Sequence, residues 1–327
     1  MIMGDIQKFA PVTKRHSVPI PYFGQKNYTW IVPKVKFFDE LLLSWNAERP
    51  SRGHYVILCS VYIQNQWSPW LLHAVWGAVC QYSFHDVSSQ APVQSFQDQI
   101  ELHDGQMATG FRIRIEACDG ATLDRFYTLY ACASMLKLSK PVWRQPSHSS
   151  PHLSVPGLSQ FRLDHPRSTS FCSPTSTTAV IHYALANRQL NPLQFAKHVY
   201  DAGFDIYGNW SFNIAQAFVE LGPQWQCFCA RVDGFETVWH YLKKGLPVVA
   251  SVKGSLSGSY LPYANGHLLV IKGYDALSQQ VLCMDPAFPL DEQTSIGYHW
   301  EEFMQAWENR HYLAYFFIPN SLAELSI

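Results

Sequence analysis

The chain lacks an excess of charge of either sign. Its 24 Lys and Arg residues are balanced by 25 Asp and Glu residues, and charged residues make up only 15% of the 327 positions. A protein with so little net charge has no long-range field that would attract a polyanion. We therefore do not expect nucleic acid or an anionic membrane surface to be a partner.

Long hydrophobic runs are also missing. The segment from Met1 to Gly24 contains no apolar core of signal-peptide length, and no later stretch reaches the roughly 18 apolar residues of a membrane span. We therefore expect a protein without a membrane span that is cytoplasmic, or secreted without a classical signal peptide. The oligomeric state is not encoded in any pattern of the sequence.

Cysteine spacing that would indicate a metal site is absent as well. Eight cysteines are scattered through apolar stretches of a chain that is too long to need disulfides for stability. Cys227 and Cys229 form a C-x-C pair, but no second Cys or His pair at zinc-ligand spacing accompanies them. We expect reduced, mostly buried thiols apart from Cys172, which is discussed below, and no metal or organic cofactor.

The composition that is present, 47% hydrophobic and 15% aromatic, is that of a folded protein, and the length favours two domains. Between Lys36 and Ser139, short runs rich in β-branched and aromatic residues alternate with turn formers. This spacing predicts an antiparallel β-sandwich. The strand candidates are residues 35–45, 54–63, 70–79, 110–118 and 126–135, and the fourth alternates apolar and charged side chains as a half-buried strand does.

Residues 141–156 are rich in Pro and Ser and have no usable periodicity. We predict that they link a β-sandwich over residues 1–140, a probable binding domain, to a second domain over residues 157–327. Helical patterns precede strand-like runs in this second half, which predicts an α+β domain. The helical patterns cover residues 175–188, 193–203, 213–222 and 238–245, and the strand-like runs cover 246–253, 267–275 and 279–285.

Cys172 lies at the predicted start of a helix, two residues before Pro174, a residue suited to a first helical turn. The free backbone N–H groups at such a position lower a thiol pKa and can bind a developing oxyanion. Both effects favour a thiol nucleophile. The alternative for any single cysteine is a small buried hydrophobic residue.

His267 and Asp285 are the candidate partners of this thiol. His267 begins one apolar strand and Asp285 ends the next, with a turn near residues 276–280, so an antiparallel hairpin would make the two residues neighbours. The carboxylate would then hold the imidazole through Nδ1–H while Nε2 faces the thiol. Taken singly, His267 could cap a strand and Asp285 could open an Asp-Pro turn. The order Cys, His, Asp favours the catalytic interpretation.

Three further residues are weaker candidates. Gln160, upstream of the cysteine, could add a side-chain amide to an oxyanion hole, although a loop glutamine is usually just solvated. Asn209 and Trp210 could form part of a substrate-binding wall beside the site. Trp210 could equally be a packed loop anchor.

At these positions the sequence resembles the family 39 cysteine peptidases, a papain-like group that includes bacteriocin-processing peptidases, and particularly its stand-alone bacterial branch. The first half is similar to the β-rich region that precedes the peptidase in several bacterial members. The segments that carry the resemblance are residues 155–162, 172–176, 207–210, 245–252, 285–287 and 298–310, together with Gly266-His267 and its strand.

The resemblance implies Cys172 as nucleophile, His267 as general base, Asp285 as the residue that orients it, and Gln160 as oxyanion-hole donor. It implies a cysteine peptidase or isopeptidase/amidase that acts on a peptide or protein through an acyl-thioester. Papain-like sites also serve deamidation and transamidation, so the reaction subtype stays open. The alternative function is a non-catalytic binding protein, in which a tryptophan-rich sandwich binds the ligand and the peptidase fold is degenerate.

Overall fold

The structure is a computed structural model that describes residues 13–20, 24–79, 81–137, 143–186 and 189–325. Cys80, the ends of the chain and the start of the predicted linker lie outside these ranges. The protein is mixed α/β and strand-rich, with two large antiparallel sheets. None of the helices in the described ranges is both long and apolar enough to cross a membrane.

The first half of the described chain forms one antiparallel sheet, in the order β1-β11-β3-β9-β8-β7-β6-β4-β10-β2 with β5 paired to β4. Five of its strands were predicted from the sequence. The strands are β1 (Lys14–Pro19), β2 (Asn27–Val32), β3 (Glu40–Ala47), β4 (His54–Ile63), β5 (Gln66–Trp67), β6 (Leu71–Gly77), β7 (Gln81–Val87), β8 (Val93–Gln97), β9 (Gln99–Leu102), β10 (Gly110–Cys118) and β11 (Phe126–Ser134).

This sheet folds over its own core. Tyr55 of β4 packs edge-on against Phe126 of β11 with ring centroids 5.2 Å apart, although the two strands are not neighbours in the sheet. In β10 every second side chain is buried, as predicted. The sandwich prediction is therefore confirmed in part, since the strands enclose a core but follow one continuous hydrogen-bonded path rather than two separate sheets.

The second half of the described chain combines helices with a second antiparallel sheet, ordered β12-β17-β13-β14-β15-β16. The predicted helices and strands are present, with ends shifted by a few residues. The elements are α1 (Cys172–Leu185), α2 (Pro192–Val199), α3 (Trp210–Leu221), β12 (Trp225–Arg231), α4 (Phe235–Lys243), β13 (Val248–Gly254), β14 (Tyr263–Asp275), β15 (Gln280–Met284), β16 (Ser295–His299), α5 (Trp300–Glu308) and β17 (Leu313–Pro319).

The two halves share buried contacts along β3, whose eight residues are all buried. Helix α3 and strand β12 pack on this strand. The Asn46 side chain donates to the carbonyl of Cys227 at 2.7 Å, and Ser211 Oγ donates to the carbonyl of Leu43 at 2.6 Å. Buried polar groups need such partners. The hydrogen bonds therefore fix how the second half sits on the first.

Residues 143–156, the described part of the predicted linker, run in extended conformation beside β14. The backbone N–H of Ser150 donates to the carbonyl of Tyr274 at 3.0 Å, and that of Leu153 to the carbonyl of Lys272 at 2.8 Å. The side chains of Leu153 and Val155 are buried. This segment is thus attached to the second half along its length.

Candidate active site

Cys172 is the first residue of α1, and Pro174 lies in the first turn of this helix, as predicted. Its side chain is partly exposed, whereas most of the helix is buried. Burial alone would raise the pKa of the thiol, but a hydrogen bond and the positive charge of His267, with backbone N–H groups of Leu268 and Ser173, lower it below its usual range. These contacts favour the thiolate.

His267 and Asp285 are brought together by the predicted hairpin of β14 and β15. The imidazole Nε2 lies 2.7 Å from Asp285 Oδ1, and both side chains are buried. The expectation that Nδ1 would bind the carboxylate is wrong. Cys172 forms a hydrogen bond with the imidazole of His267 and another with the backbone N–H of Leu268. Because Nε2 is bonded to Asp285, the thiol faces the other ring nitrogen, Nδ1. Asp285, beyond the end of β15, meets the distal Nε2 instead.

Asp285 is held by four donors. Besides His267, its carboxylate accepts hydrogen bonds from the hydroxyl groups of Tyr263 and Tyr298, each at 2.6 Å, and from the backbone N–H of Ala287 at 2.9 Å. Although burial raises the pKa of a carboxyl, His267 and the tyrosines outweigh it and lower the pKa of Asp285. Asp285 is therefore a fixed anion.

The imidazole of His267 is held in a single orientation. The ring of Tyr263 stacks on it with centroids 4.0 Å apart and planes 14° from parallel. Burial disfavours the imidazolium, but Asp285 and Cys172 overcome this effect and raise the pKa of His267 to about 10. The site thus favours a thiolate beside an imidazolium, the resting state of a thiol nucleophile with its base.

Gln160 forms hydrogen bonds with two segments, one just after Asp285 and one just before Cys172. Its backbone N–H donates to the carbonyl of Pro286 at 2.9 Å, and its side-chain Nε2 donates to the carbonyl of Thr169 at 2.9 Å, just upstream of Cys172. The amide group keeps one further N–H, and its buried Oε1 has no partner among the described residues. The side chain is therefore ordered rather than solvated.

Asn209 and Trp210 lie at the start of α3. Asn209 is buried, and its side chain caps the helix by accepting from the N–H of Phe212 at 3.1 Å while donating to Asp201 at 2.8 Å. Trp210 is 5% exposed, and its ring is flanked by the guanidinium groups of Arg231 and Arg310. The side chain of Asn209 is therefore hydrogen-bonded within the protein, whereas the ring of Trp210 lies next to two guanidinium groups.

Sequence reasoning did not identify the two tyrosines that donate hydrogen bonds to Asp285. Tyr263 precedes His267 by four residues in one strand, so its side chain projects from the same face. The even spacing of Tyr263 and His267 could therefore have indicated that the two side chains lie side by side. Tyr298 comes from β16, whose pairing with β15 no local pattern of the sequence indicated.

Cys118 is the second partly exposed thiol among the described residues, and the described cysteines other than Cys172 have raised pKa values because they are buried or lie near carboxylates. Within the described ranges, no group of three or more His, Cys, Asp or Glu side chains is placed to hold a metal ion.

A thiol at a helix start, beside an imidazole held by a carboxylate, is the kind of arrangement that cysteine hydrolases use. The family model described as Peptidase_C39 like family matches residues 152–315, half of the chain. The chain belongs to this family of C39-like, papain-type peptidases, which suggests a cysteine peptidase-type hydrolase. No curated protein and no solved structure gave a significant match.

Proposed function

We propose that the protein is a thiol hydrolase, a cysteine peptidase or isopeptidase/amidase, that acts on a peptide or protein through Cys172, His267 and Asp285. The observation that carries the proposal is the buried imidazole of His267, held by Asp285 on one side and bonded to the partly exposed thiol of Cys172 on the other. Family membership supports the same class of reaction.

In the proposed mechanism, the Cys172 thiolate attacks the scissile carbonyl carbon and forms a C–S bond. The imidazolium of His267 donates its proton to the leaving amine as the C–N bond breaks, which leaves a thioester on Cys172. His267, now neutral, takes a proton from water, and the hydroxide attacks the thioester. The C–S bond then breaks, the acid product leaves, and the released Cys172 thiolate and protonated His267 restore the ion pair. Asp285 stabilises the imidazolium in both steps.

The negative oxygen of the tetrahedral intermediates needs fixed donors. We assign this role to the backbone N–H at the start of α1 and to the remaining side-chain N–H of Gln160. The Gln160 amide is buried and already anchored on Thr169, so it costs little reorganisation when the oxyanion forms. Both polar side-chain atoms of Asn209 are hydrogen-bonded within the fold, and we therefore propose Trp210 rather than Asn209 as a substrate contact.

The first half of the chain is proposed as a binding domain that is fixed on the hydrolase domain. Three tryptophans of this half, Trp67, Trp70 and Trp76, are candidates for a ligand-binding face, but Trp76 is buried in the core. Trp67 and Trp70 remain partly exposed, with the guanidinium of Arg112 over both rings at 4.8 and 4.4 Å. These rings are the surface that would bind ligand if the protein were a non-catalytic binding protein.

Selective alkylation tests the nucleophile. We expect iodoacetamide at pH 6 to modify Cys172 faster than Cys118, since both thiols are partly exposed but only Cys172 has a lowered pKa. The labelled thiol is mapped by mass spectrometry. His267→Ala should abolish the fast reaction, and Cys118→Ser should leave it unchanged. Equal, slow labelling of both thiols would contradict the proposal.

Hydrolysis is tested with a complex mixture of cellular peptides. The wild-type protein should create new termini that mass spectrometry detects, and Cys172→Ala should create none. Fast labelling of Cys172 without cleavage would favour another acyl transfer on the same site. Neither labelling nor cleavage would favour the binding protein.

A further inference from the structure

A cavity of about 710 Å³ opens where the two halves of the described chain meet. Trp210, Arg231 and Arg310 line it from the second half, and Glu40 and Glu101 are among the side chains that line it from the first. A cavity of this size accommodates a side chain or a small ligand.

Arg310 lines the cavity and also lies close to the strand that carries His267. The guanidinium carbon of Arg310 is 3.7 Å from the position that a Cβ atom would take on Gly266, the residue before His267. On the same side of the sheet, Tyr315 hydrogen-bonds Ser173, the residue after Cys172, at 3.1 Å. Arg310 and Tyr315 therefore lie beside the chain neighbours of His267 and Cys172.

Arg310 has no anionic partner in the described part of the chain. Its Nε donates to Ser251 Oγ at 3.1 Å, and its guanidinium carbon lies 5.4 Å from the centre of the Trp210 ring. Arg231, in contrast, is buried in a two-point ion pair with Glu40. Of the two guanidinium groups in the cavity, only that of Arg310 keeps N–H donors for a ligand.

Besides Glu40, two other carboxylates of this region are engaged elsewhere. Asp39 accepts the backbone N–H groups of Leu136 and Lys137 at 2.7 and 3.0 Å. Asp98 is buried and accepts the N–H of Trp210 at 2.8 Å, and burial raises the pKa of its carboxyl to about 7. The positive charge of Arg310 is therefore only partly compensated within the protein.

We propose that this cavity is a subsite for a carboxylate on the acyl part of the substrate, held by the Arg310 guanidinium against the Trp210 ring. The inference rests on the proposed hydrolase function. A guanidinium binds carboxylates through two parallel N–H donors, and stacking on an aromatic ring holds it in place. The acyl part stays on the enzyme through both chemical steps, so that holding it serves acylation and deacylation alike. The substrate would then carry Glu or Asp within two residues of the scissile carbonyl.

The test uses acetyl-Xaa-Gly and acetyl-Gly-Xaa chloromethyl ketones with Xaa as Glu, Gln, Lys or Phe, which alkylate a thiol nucleophile. In one of the two series, the Glu probe should modify Cys172 roughly tenfold or more faster than the Gln probe, the factor expected for one charge-assisted contact. Arg310→Gln should bring this ratio to about one. Arg52→Gln, an exposed arginine of the first half, is the matched control and should keep the preference.

Equal rates for Glu and Gln in both series, faster reaction with Lys or Phe, or a preference that survives Arg310→Gln would each overturn the subsite. Failure of the hydrolase proposal is distinguishable, because no probe would then modify Cys172 selectively. In that case the corresponding peptide amides are titrated into Cys172→Ala by calorimetry. Tighter binding of a Glu peptide that depends on Arg310 supports the subsite, and equal affinities overturn it.

Discussion

Replacing Asp285 by Asn tests how strongly this carboxylate favours the ionised form of the Cys172 thiol. The buried carboxylate of Asp285 is the strongest of the influences that raise the pKa of His267 to about 10 from an ordinary value of 6.5. An amide is similar in shape but carries no charge, and so it still accepts a hydrogen bond without stabilising an imidazolium. We expect the ion pair of Cys172 and His267 to weaken.

The magnitude follows from the raised pKa. If Asp285 supplies more than half of the upward shift, Asp285→Asn lowers the pKa of His267 by about two units. Proton transfer from Cys172 to His267 then becomes less favourable by a factor of roughly 100, or about 3 kcal/mol. Iodoacetamide should alkylate the variant roughly 10- to 100-fold more slowly at pH 6. Above about pH 9 the thiol ionises without help, and the two rates should converge.

The assay is the rate of Cys172 alkylation from pH 5 to pH 9.5, after circular dichroism has shown that the variant is folded. Asp119→Asn is the matched control, because Asp119 also pairs with a histidine, His54 at 3.4 Å, but is largely exposed. A profile of Asp285→Asn that overlaps the wild-type profile at pH 6 would refute the reasoning.

Three further changes have defined outcomes. Tyr263→Phe keeps the stacked ring but removes one donor from the site carboxylate, so we expect kcat/KM for the best peptide substrate to fall roughly 3- to 10-fold and stability by about 1 kcal/mol. Glu40→Gln leaves Arg231 as a buried unpaired charge and should cost about 3–5 kcal/mol in urea unfolding, whereas the partly exposed Glu48→Gln should cost less than about 1 kcal/mol. Asp98 holds its proton to about pH 7 in the folded state but only to about pH 3.8 when unfolded, so stability falls as pH rises between these values. Asp98→Asn should remove that fall, which is worth up to about 3 kcal/mol when unfolding at pH 5 and pH 8 is compared.

The parts of the site that could be predicted from sequence depend on local patterns. A proline two residues after Cys172 marked a helix start, and two apolar runs joined by a short turn marked the hairpin that brings His267 to Asp285. Helix starts and hairpins are specified by a few neighbouring residues. The pairing of His267 with Asp285 followed from that hairpin alone, while the catalytic roles remain predictions.

The remaining features depend on contacts between segments distant in the chain. Tyr298 reaches Asp285 from a third strand, and β12 joins the sheet through β17, some 90 residues later. Which ring nitrogen of His267 meets the carboxylate is decided by how α1 approaches β14, and no spacing in the sequence encodes that approach. Arg310 could not be singled out either, since its neighbours Gly266 and Ser251 come from two other strands.

The same contacts make the site dependent on the whole fold. Cys172 comes from α1, His267 from the sheet, and Trp210 is held through its backbone N–H by Asp98, a residue of the first half. Asp98 lies in the turn between β8 and β9. A change there moves the start of α3 and with it the Trp210 ring that lies beside Arg310. The first half therefore shapes the proposed carboxylate subsite, and substitutions in that turn should change substrate preference more than they change the reactivity of Cys172.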